Sequence, residues 1–295
     1  MHAYSDTLTD GMIRSEHTQL NGVPVPKSVL VTGGAGFIGG WFVRHLLQTY
    51  GDRYAVTCFD NLDYCASVNK FKAVSQLSNF HFVRGNVCTP KDVENALRNY
   101  HIDSIVHFAA RSHVDTSLND SLSFTQTNVI GTQVLLEVAR EQGSIRRFIH
   151  VSTDEVYGEN DAQNPTAFTE EQSLHPTNPY SASKAATEMI IQAYRKSFHI
   201  PLIIRKSFDA CIPMGHYESD NWIEFVADRP VNDDMYWTDD SKLRALGWTQ
   251  RTNFDEALRA TVDWYCRDSE GFWPNYEGLG STFFDGDVIA EDDYI

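Results

Sequence analysis

The sequence predicts an α/β fold built on a doubly wound parallel sheet. Short apolar runs alternate with longer amphipathic stretches, which is the order of strands and helices in such folds. The short runs are almost wholly apolar, as strands covered on both faces are. Strands are predicted at 28–32, 54–59, 80–83, 104–109, 147–152 and 201–205, and helices at 37–50, 90–99, 121–142, 179–198 and 253–267.

The helices follow from apolar residues that share one face. In 37–50, Ile38, Phe42 and Leu46 recur every fourth residue. The long stretch 121–142 offers four apolar residues to its buried side: Val129, Leu135, Leu136 and Val138. The stretch 253–267 places four on one face: Phe254, Leu258, Val262 and Tyr265.

The charge is distributed unevenly along the 295 residues. The net charge is −16, which argues against nucleic acid and anionic membranes as partners. Residues 1–206 hold 18 Lys and Arg against 20 Asp and Glu, whereas 207–295 hold 6 against 20. No apolar run is long enough for a membrane helix. The five cysteines include no CxxC pair, which favours a reduced, cytoplasmic protein without structural zinc.

A glycine-rich turn follows the first predicted strand. TGGAGFIG at 32–39 spaces Gly33, Gly36 and Gly39 three apart, between a strand and a helix. Such a turn lets a pyrophosphate approach the backbone and face the positive end of the helix. The motif predicts an NAD-binding Rossmann domain.

Two further residues favour a dinucleotide. Asp60 ends the second strand, 21 residues after Gly39, where a carboxylate accepts hydrogen bonds from the adenosine ribose and repels a 2′-phosphate. Asn86 follows the third strand, where it could contact adenine. The residues expected to bind the cofactor are Gly33, Gly36, Phe37, Ile38, Gly39, Asp60, Asn61, Asn86, Val87, Ala109, Ala110, Tyr180 and Lys184.

Reactive side chains follow the fifth strand and open the long helix. Tyr180 and Lys184, in YSASK, are four apart and so share one helix face. A phenol beside an ammonium can take a proton from an alcohol, because the positive charge favours the phenolate. Thr153, Asp154 and Glu155, in VSTDEVYG, end the fifth strand, and ligands of open α/β sheets bind beyond such ends. Alcohol oxidation alone needs no acid pair, so the two carboxylates indicate a further proton transfer such as loss of water.

The motif HFAARSHVD carries His107 and His113. No second cluster with metal-ligand spacing accompanies them. We therefore expect packing or hydrogen-bonding roles near the cofactor, and no metal site.

Together TGGAGFIG, HFAARSHVD, TNVIGT, VSTDEVYG and YSASK resemble the extended short-chain dehydrogenases, specifically the nucleotide-sugar 4,6-dehydratases of the dTDP-glucose type. The resemblance runs from about Ser28 to Arg205 and resumes at ADRPVNDDMYWTDDSKLRALGW. It implies NAD recycled within each turnover, a dTDP- or UDP-sugar substrate, and a homodimer.

The resemblance also implies a role for each reactive residue. Tyr180 would take the 4-hydroxyl proton of the sugar, while Thr153 hydrogen-bonds that oxygen. Glu155 would remove the proton on carbon 5, and Asp154 would protonate the departing 6-hydroxyl. Lys184 would hold the nicotinamide ribose.

The chain departs from this pattern after Arg205. Several tens of residues that relatives use for the nucleotide sugar have no counterpart, and Met235 replaces an expected arginine. We therefore expect a mobile arm at 1–27, an NAD-binding domain at 28–206, a reduced substrate-binding region at 207–275 and an acidic tail at 276–295. The alternatives to a dehydratase are a catalytically silent NAD-binding protein and a nucleotide-sugar 4-epimerase.

The acid at position 60 predicts cofactor preference. NAD⁺ should bind more tightly than NADP⁺, because a 2′-phosphate would meet the Asp60 carboxylate at short range. Calorimetric titration with both cofactors measures this. Equal affinities, or tighter binding of NADP⁺, would contradict the assignment of Asp60.

Overall fold

The structure is a computed structural model that describes residues 19–20, 23–160, 166–207 and 237–273. Its strands are β1 (Gln19–Leu20), β2 (Val23–Pro24), β3 (Ser28–Thr32), β4 (Ala55–Asp60), β5 (Phe80–Arg84), β6 (Ser104–His107), β7 (Arg147–Thr153) and β8 (Leu202–Ser207). Its α-helices are α1 (Phe37–Tyr50), α2 (Pro90–Asn99), α3 (Val114–Asn119), α4 (Ser121–Phe124), α5 (Gly131–Gln142), α6 (Pro179–Phe198), α7 (Ser241–Ala245) and α8 (Phe254–Asp268).

Six strands form one parallel sheet in the order β5-β4-β3-β6-β7-β8. The predicted fold class is thereby confirmed. Thr32 pairs with Phe59 on one side and His107 on the other, so β3, β4 and β6 end at one level. β6 is two residues shorter than predicted, because beyond His107 the chain turns away to line the cleft described below.

Helices cover both faces of this sheet. Along β3, Val29 and Val31 face one hydrophobic cluster and Leu30 faces another, as the alternation of a strand requires. The first cluster includes Val43 and Leu47 of α1, and the second includes Leu135 and Leu136 of α5. Full burial of each such side chain stabilises the fold by about 1.5–3 kcal/mol.

The helix predicted over 121–142 is not continuous. It is divided into α4, a π-helical segment at Thr125–Ile130, and α5. Periodicity did not reveal the division, because apolar residues resume at Val129 after the polar run TQTN. Leu135 and Leu136 are fully buried as expected, whereas Val129 and Val138 are only half-buried.

Both ends of the chain differ from expectation where the structure describes them. β1 and β2 form a short antiparallel pair inside the stretch predicted to hold no element. The apolar face predicted on α8 is solvent-exposed, with Phe254 44%, Val262 52% and Tyr265 55% exposed. Residues 208–236 and 274–295 lie outside the described part, so most of the predicted substrate-binding region and the tail stay predictions.

No described helix combines the length and the apolar character needed to cross a bilayer.

Two histidines are buried side by side in the sheet. The rings of His107 on β6 and His150 on β7 have centroids 5.3 Å apart. His107 is bonded through Nδ1 to the Thr32 hydroxyl at 2.6 Å and through Nε2 to the Thr132 hydroxyl at 2.9 Å. Among the described residues, neither ring nitrogen of His150 has a hydrogen-bond partner.

Burial disfavours the charged form of both rings. It lowers the pKa of His107 to about 3, and the positive charge of Lys184 contributes. Burial also lowers the pKa of His150 well below its usual value, with smaller contributions from Lys184 and His107. Both imidazoles are therefore neutral at physiological pH.

Acid should destabilise the fold through these rings. Since the folded-state pKa values are depressed, the unfolded chain binds more protons below about pH 6.5, and the free energy of unfolding should fall there by up to about 1.4 kcal/mol per pH unit for each ring. For His107 the loss continues down to a pH of about 3. His150→Leu removes one of the two groups that take up a proton on unfolding, so it should make this acid slope shallower. It should lower the free energy of unfolding little at neutral pH, because no described hydrogen bond is lost.

His107→Leu is the matched comparison. It removes the two buried hydrogen bonds that the ring makes to the Thr32 and Thr132 hydroxyls, so it should destabilise the protein at neutral pH by about 1–3 kcal/mol. Urea unfolding of the three proteins over a pH series measures both effects. An acid slope that His150→Leu leaves unchanged would contradict the prediction.

Candidate functional site

The glycine turn after β3 has no room for side chains. Gly33 has φ 65°, and a Cβ there would lie 2.6 Å from the backbone nitrogen of Ala109. A Cβ on Gly39 would lie 2.3 Å from the carbonyl oxygen of Gly33. The backbone of the turn is thus drawn against the end of β6, directly before α1 begins at Phe37. This arrangement fits the pyrophosphate of a dinucleotide.

Asp60 ties the end of β4 to this turn. Its Oδ2 accepts the N–H of Ala35 at 3.0 Å, and its Oδ1 accepts the N–H of Leu62 at 2.8 Å. Burial raises the pKa of this carboxyl, and the two backbone hydrogen bonds and the charge of Lys70 oppose that rise. Each oxygen keeps a lone pair for a ribose hydroxyl, so the geometry suits an adenosine end.

A cleft of about 620 Å³ runs over the carboxyl ends of the strands. Every residue that the sequence analysis placed at a cofactor lines it. Phe37 and Ile38 are apolar yet 73% and 48% exposed at the first turn of α1. His113 also lines the cleft, and its Nδ1 accepts the N–H of Thr116 at the start of α3.

Tyr180 and Lys184 enter the cleft from the first turns of α6. This helix begins sharply, because Asn178 caps it by accepting the N–H of Ser181 and Pro179 occupies its first position. Tyr180 and Lys184 are 5% and 4% exposed. The Lys184 ammonium donates to the carbonyl oxygen of Val151 at 2.7 Å, which fixes α6 against β7.

The acid pair lies beside this helix start but not on the cleft wall. Thr153 lines the cleft, whereas Asp154 and Glu155 do not, although all three are buried. The reason is local: the chain turns into a 3-10 helix at Asp154–Tyr157, which carries both carboxylates under the surface. The Asn178 amide donates to Glu155 at 3.0 Å and so links the pair to α6.

Sequence reasoning missed Asn128, which is 2% exposed within the π-helical segment. Its side chain accepts the N–H of Arg111 at 2.7 Å and donates to the Arg111 carbonyl at 3.0 Å and to the Ser183 hydroxyl at 2.8 Å. It therefore joins the loop after β6 to the helix that carries Tyr180 and Lys184. A polar run, TQTN, inside a predicted buried helix was the signal that could have identified it.

Comparisons with known proteins agree with this geometry. Residues 30–220 match the family described as GDP-mannose 4,6 dehydratase. A trifunctional UDP-glucose 4,6-dehydratase/UDP-4-keto-6-deoxy-D-glucose 3,5-epimerase/UDP-4-keto-L-rhamnose-reductase of Arabidopsis thaliana is 34% identical over 328 aligned positions. That alignment covers 86% of this chain and 49% of the plant protein, so the chain spans about half the length of that relative. Because 86% of 295 residues is far fewer than 328, the relative has several tens of residues with no counterpart here.

This chain is more extensively similar to a solved dehydratase structure than to a solved epimerase structure. The dTDP-glucose 4,6-dehydratase DesIV of Streptomyces venezuelae, solved with NAD bound, has a TM-score of 0.74 at 31% identity, covering 83% of this chain and 98% of that one. A UDP-glucuronic acid 4-epimerase of Bacillus cereus, also with NAD, has a TM-score of 0.54 at 32% identity, covering 61% of this chain and 56% of that one. The likeness to the epimerase is thus confined to a smaller part of the chain.

Proposed function

The chain belongs to the GDP-mannose 4,6 dehydratase family, and from this we propose that it is an NAD-dependent nucleotide-sugar 4,6-dehydratase, a hydro-lyase. Its substrate is a dTDP- or UDP-glucose, and its product is the 4-keto-6-deoxy sugar. The extent of the likeness to the dehydratase structure, against the epimerase, supports the choice of reaction.

The observation that carries the proposal is the placement of two reactive groups at one sheet end. Tyr180 and Lys184 lie on α6, and Thr153, Asp154 and Glu155 lie where β7 ends, joined to α6 through an amide hydrogen bond. A phenol with an ammonium supplies the base that oxidation of an alcohol by NAD needs. Carboxylates beside it add the proton transfers that an elimination needs.

NAD, when bound, supplies the acceptor for a hydride and returns that hydride within the same turnover. The glycine turn, Asp60 and Lys184 would hold it. Gly33 and Gly39 leave the backbone accessible to the pyrophosphate, and Asp60 accepts from the adenosine ribose. Phe37 and Ile38, which are exposed on the cleft wall, would pack against it.

Tyr180 takes the proton of the sugar 4-hydroxyl as the hydrogen on carbon 4 leaves as hydride, which makes carbon 4 a ketone. Lys184 stabilises the phenolate form of Tyr180 that accepts this proton, and its bond to Val151 keeps the ammonium one turn from Tyr180. Thr153 donates a hydrogen bond to the sugar oxygen from the cleft wall.

The acid pair completes the loss of water. Glu155 removes the proton on carbon 5, which the adjacent ketone has made acidic. Asp154 gives a proton to the 6-hydroxyl, which departs as water and leaves a double bond between carbons 5 and 6. Once the hydride has returned to carbon 6, Glu155 gives its proton back to carbon 5, which completes the 4-keto-6-deoxy sugar. Both carboxylates are buried, and the Asn178 amide orients Glu155.

A second candidate is a catalytically silent NAD-binding protein. Two observations favour it: the acid pair does not line the described cleft, and relatives have several tens of residues that this chain lacks. Turnover with dTDP-glucose and with UDP-glucose separates the two functions. Product from either sugar excludes the silent protein, and NAD⁺ binding without turnover of either sugar excludes the enzyme.

We also propose that the protein is a cytoplasmic homodimer. Large apolar side chains are exposed on α4 and α6, with Leu122 81%, Met189 53% and Phe198 48% exposed. Pairing of two copies would cover them. Sedimentation equilibrium should show a dimer that Met189→Glu weakens, and a wild-type protein that is monomeric at every concentration would contradict this.

The roles of the reactive residues predict different defects. Tyr180→Phe should abolish both reduction of the cofactor and product, because no group then accepts the hydroxyl proton. Glu155→Gln and Asp154→Asn should permit the oxidation but slow product formation by about 10²–10⁴-fold, the usual value of a positioned proton transfer. Stopped-flow absorbance of the reduced nicotinamide, with product analysis, measures both steps.

Tyr157→Phe is the matched control. Tyr157 is a buried tyrosine close to the acid pair that stacks on Phe168, with ring centroids 5.1 Å apart, and does not line the cleft. It should keep wild-type rates. Dehydration by Tyr180→Phe at the wild-type rate would show that the assigned chemistry is wrong.

A further inference from the structure

An ion pair crosses the cleft above the glycine turn. Asp63 follows β4 and Arg111 follows β6, and the two side chains meet at 3.5 Å between a guanidinium nitrogen and a carboxylate oxygen. In the sheet, β3 lies between β4 and β6. A contact from the end of β4 to the end of β6 must therefore pass over the end of β3, where the glycine turn begins.

The base of Arg111 is held rigidly. Its backbone N–H and carbonyl are both bonded to the buried side chain of Asn128, at 2.7 and 3.0 Å. The direction in which the side chain leaves the loop is thus set by the core. Both Asp63 and Arg111 line the cleft, so the guanidinium is presented to whatever occupies it.

The pair itself is weak. The side chains of Arg111 and Asp63 are 34% and 41% exposed, and the structure describes a single ion-pair contact between them. Exposed pairs of this kind contribute at most about 1 kcal/mol. A guanidinium has five N–H donors in a planar fork, which suits two phosphate oxygens better than one carboxylate contact.

The charges around the cleft also favour an anion at this point. The acidic side chains on its described lining are Asp60 and Asp63, and the basic ones are Arg111 and Lys184. Lys184 is bonded to Val151 at the β7 end, away from the glycine turn. Lys70 is bonded to the Ala35 carbonyl within the turn but does not line the cleft, so Arg111 is the lining cation placed to neutralise a diphosphate there.

We infer that Arg111 is a binding residue for the cofactor diphosphate, exchanging its contact with Asp63 for the phosphate oxygens when the dinucleotide enters. This inference rests on the proposed NAD site and adds a side-chain ligand to its backbone amides. Asp63 is the partner that holds the guanidinium over the cleft before binding and competes with the diphosphate for it.

Isothermal titration with NAD⁺ and with adenosine tests this on the full chain freed of endogenous cofactor. Arg111→Gln should weaken NAD⁺ binding about tenfold or more, because a charge-assisted hydrogen bond is lost. It should leave the affinity for adenosine unchanged, since adenosine has no phosphate. The salt dependence of NAD⁺ binding should also become shallower, because one fewer cation faces the diphosphate.

Two further variants sharpen the test. Asp63→Asn removes the competing carboxylate and should leave NAD⁺ affinity unchanged or raise it. Arg98→Gln is the matched control, because Arg98 on α2 is 72% exposed, pairs with the single carboxylate Glu94 and does not line the cleft. It should bind NAD⁺ as the wild type does. Circular dichroism and thermal unfolding establish that each variant is folded.

The outcomes distinguish this inference from the proposed function. If the wild type does not bind NAD⁺, the proposed cofactor site is wrong and the inference fails with it. If the wild type binds and folded Arg111→Gln binds equally well, only the role of Arg111 is overturned. If Arg111→Gln and Asp63→Asn weaken NAD⁺ binding equally, the intact ion pair supports the site structurally, and the inference is overturned. The inference is also overturned if Arg111→Gln keeps its affinity for NAD⁺ but loses affinity for dTDP or UDP measured in the presence of NAD⁺.

Discussion

A chain of buried hydrogen bonds runs across the sheet, and the arrangement of the site depends on it. Thr32 at the end of β3 is bonded to His107 on β6, His107 to Thr132 on α5, Thr132 to the carbonyl of Asn128, and the Asn128 amide to Ser183 on α6. Every member is buried. Loss of one leaves another unsatisfied in the core, at a cost of about 1–3 kcal/mol. The glycine turn and the Tyr180 helix are thereby held at a fixed spacing.

The same constraint explains why the helix between β6 and β7 is broken. A π-helical segment alters the regular hydrogen-bonding pattern of an α-helix, and such segments are frequent at functional sites. Here the carbonyl of Asn128 accepts bonds from the hydroxyls of Thr132 and Thr187, while its side chain holds the backbone of Arg111. Asn128 thus forms hydrogen bonds to α5, α6 and the loop over the cleft, and the π-helical segment places it close enough to all three.

Charged groups near the site are likewise held by partners remote in sequence. Glu188 on α6 is buried and accepts from the Ser152 hydroxyl at 2.5 Å, and Lys206 on β8 pairs with it at 3.6 Å. The Lys206 ammonium also lies 3.5 Å from the ring centroid of Tyr157. A buried charge without such partners would cost several kcal/mol. The end of β7, which carries the acid pair, is therefore supported from both α6 and β8.

The sequence by itself determined the parallel sheet, the order of strands and helices along the chain, and many of the residues that line the cleft, because these are written in local signals. Apolar runs mark the strands, and the glycine spacing marks the turn at Gly33. The four-residue interval places Tyr180 and Lys184 on one face. Tertiary structure alone decided which side chains meet across the sheet: the hydrogen bonds of Asn128, the ion pair of Arg111, and the burial of the acid pair behind the cleft wall. The hydrogen bonds and the ion pair join residues on different elements, and the local 3-10 helix buries the acid pair only where it packs beside α6, so these features exist only once strands and helices have assembled.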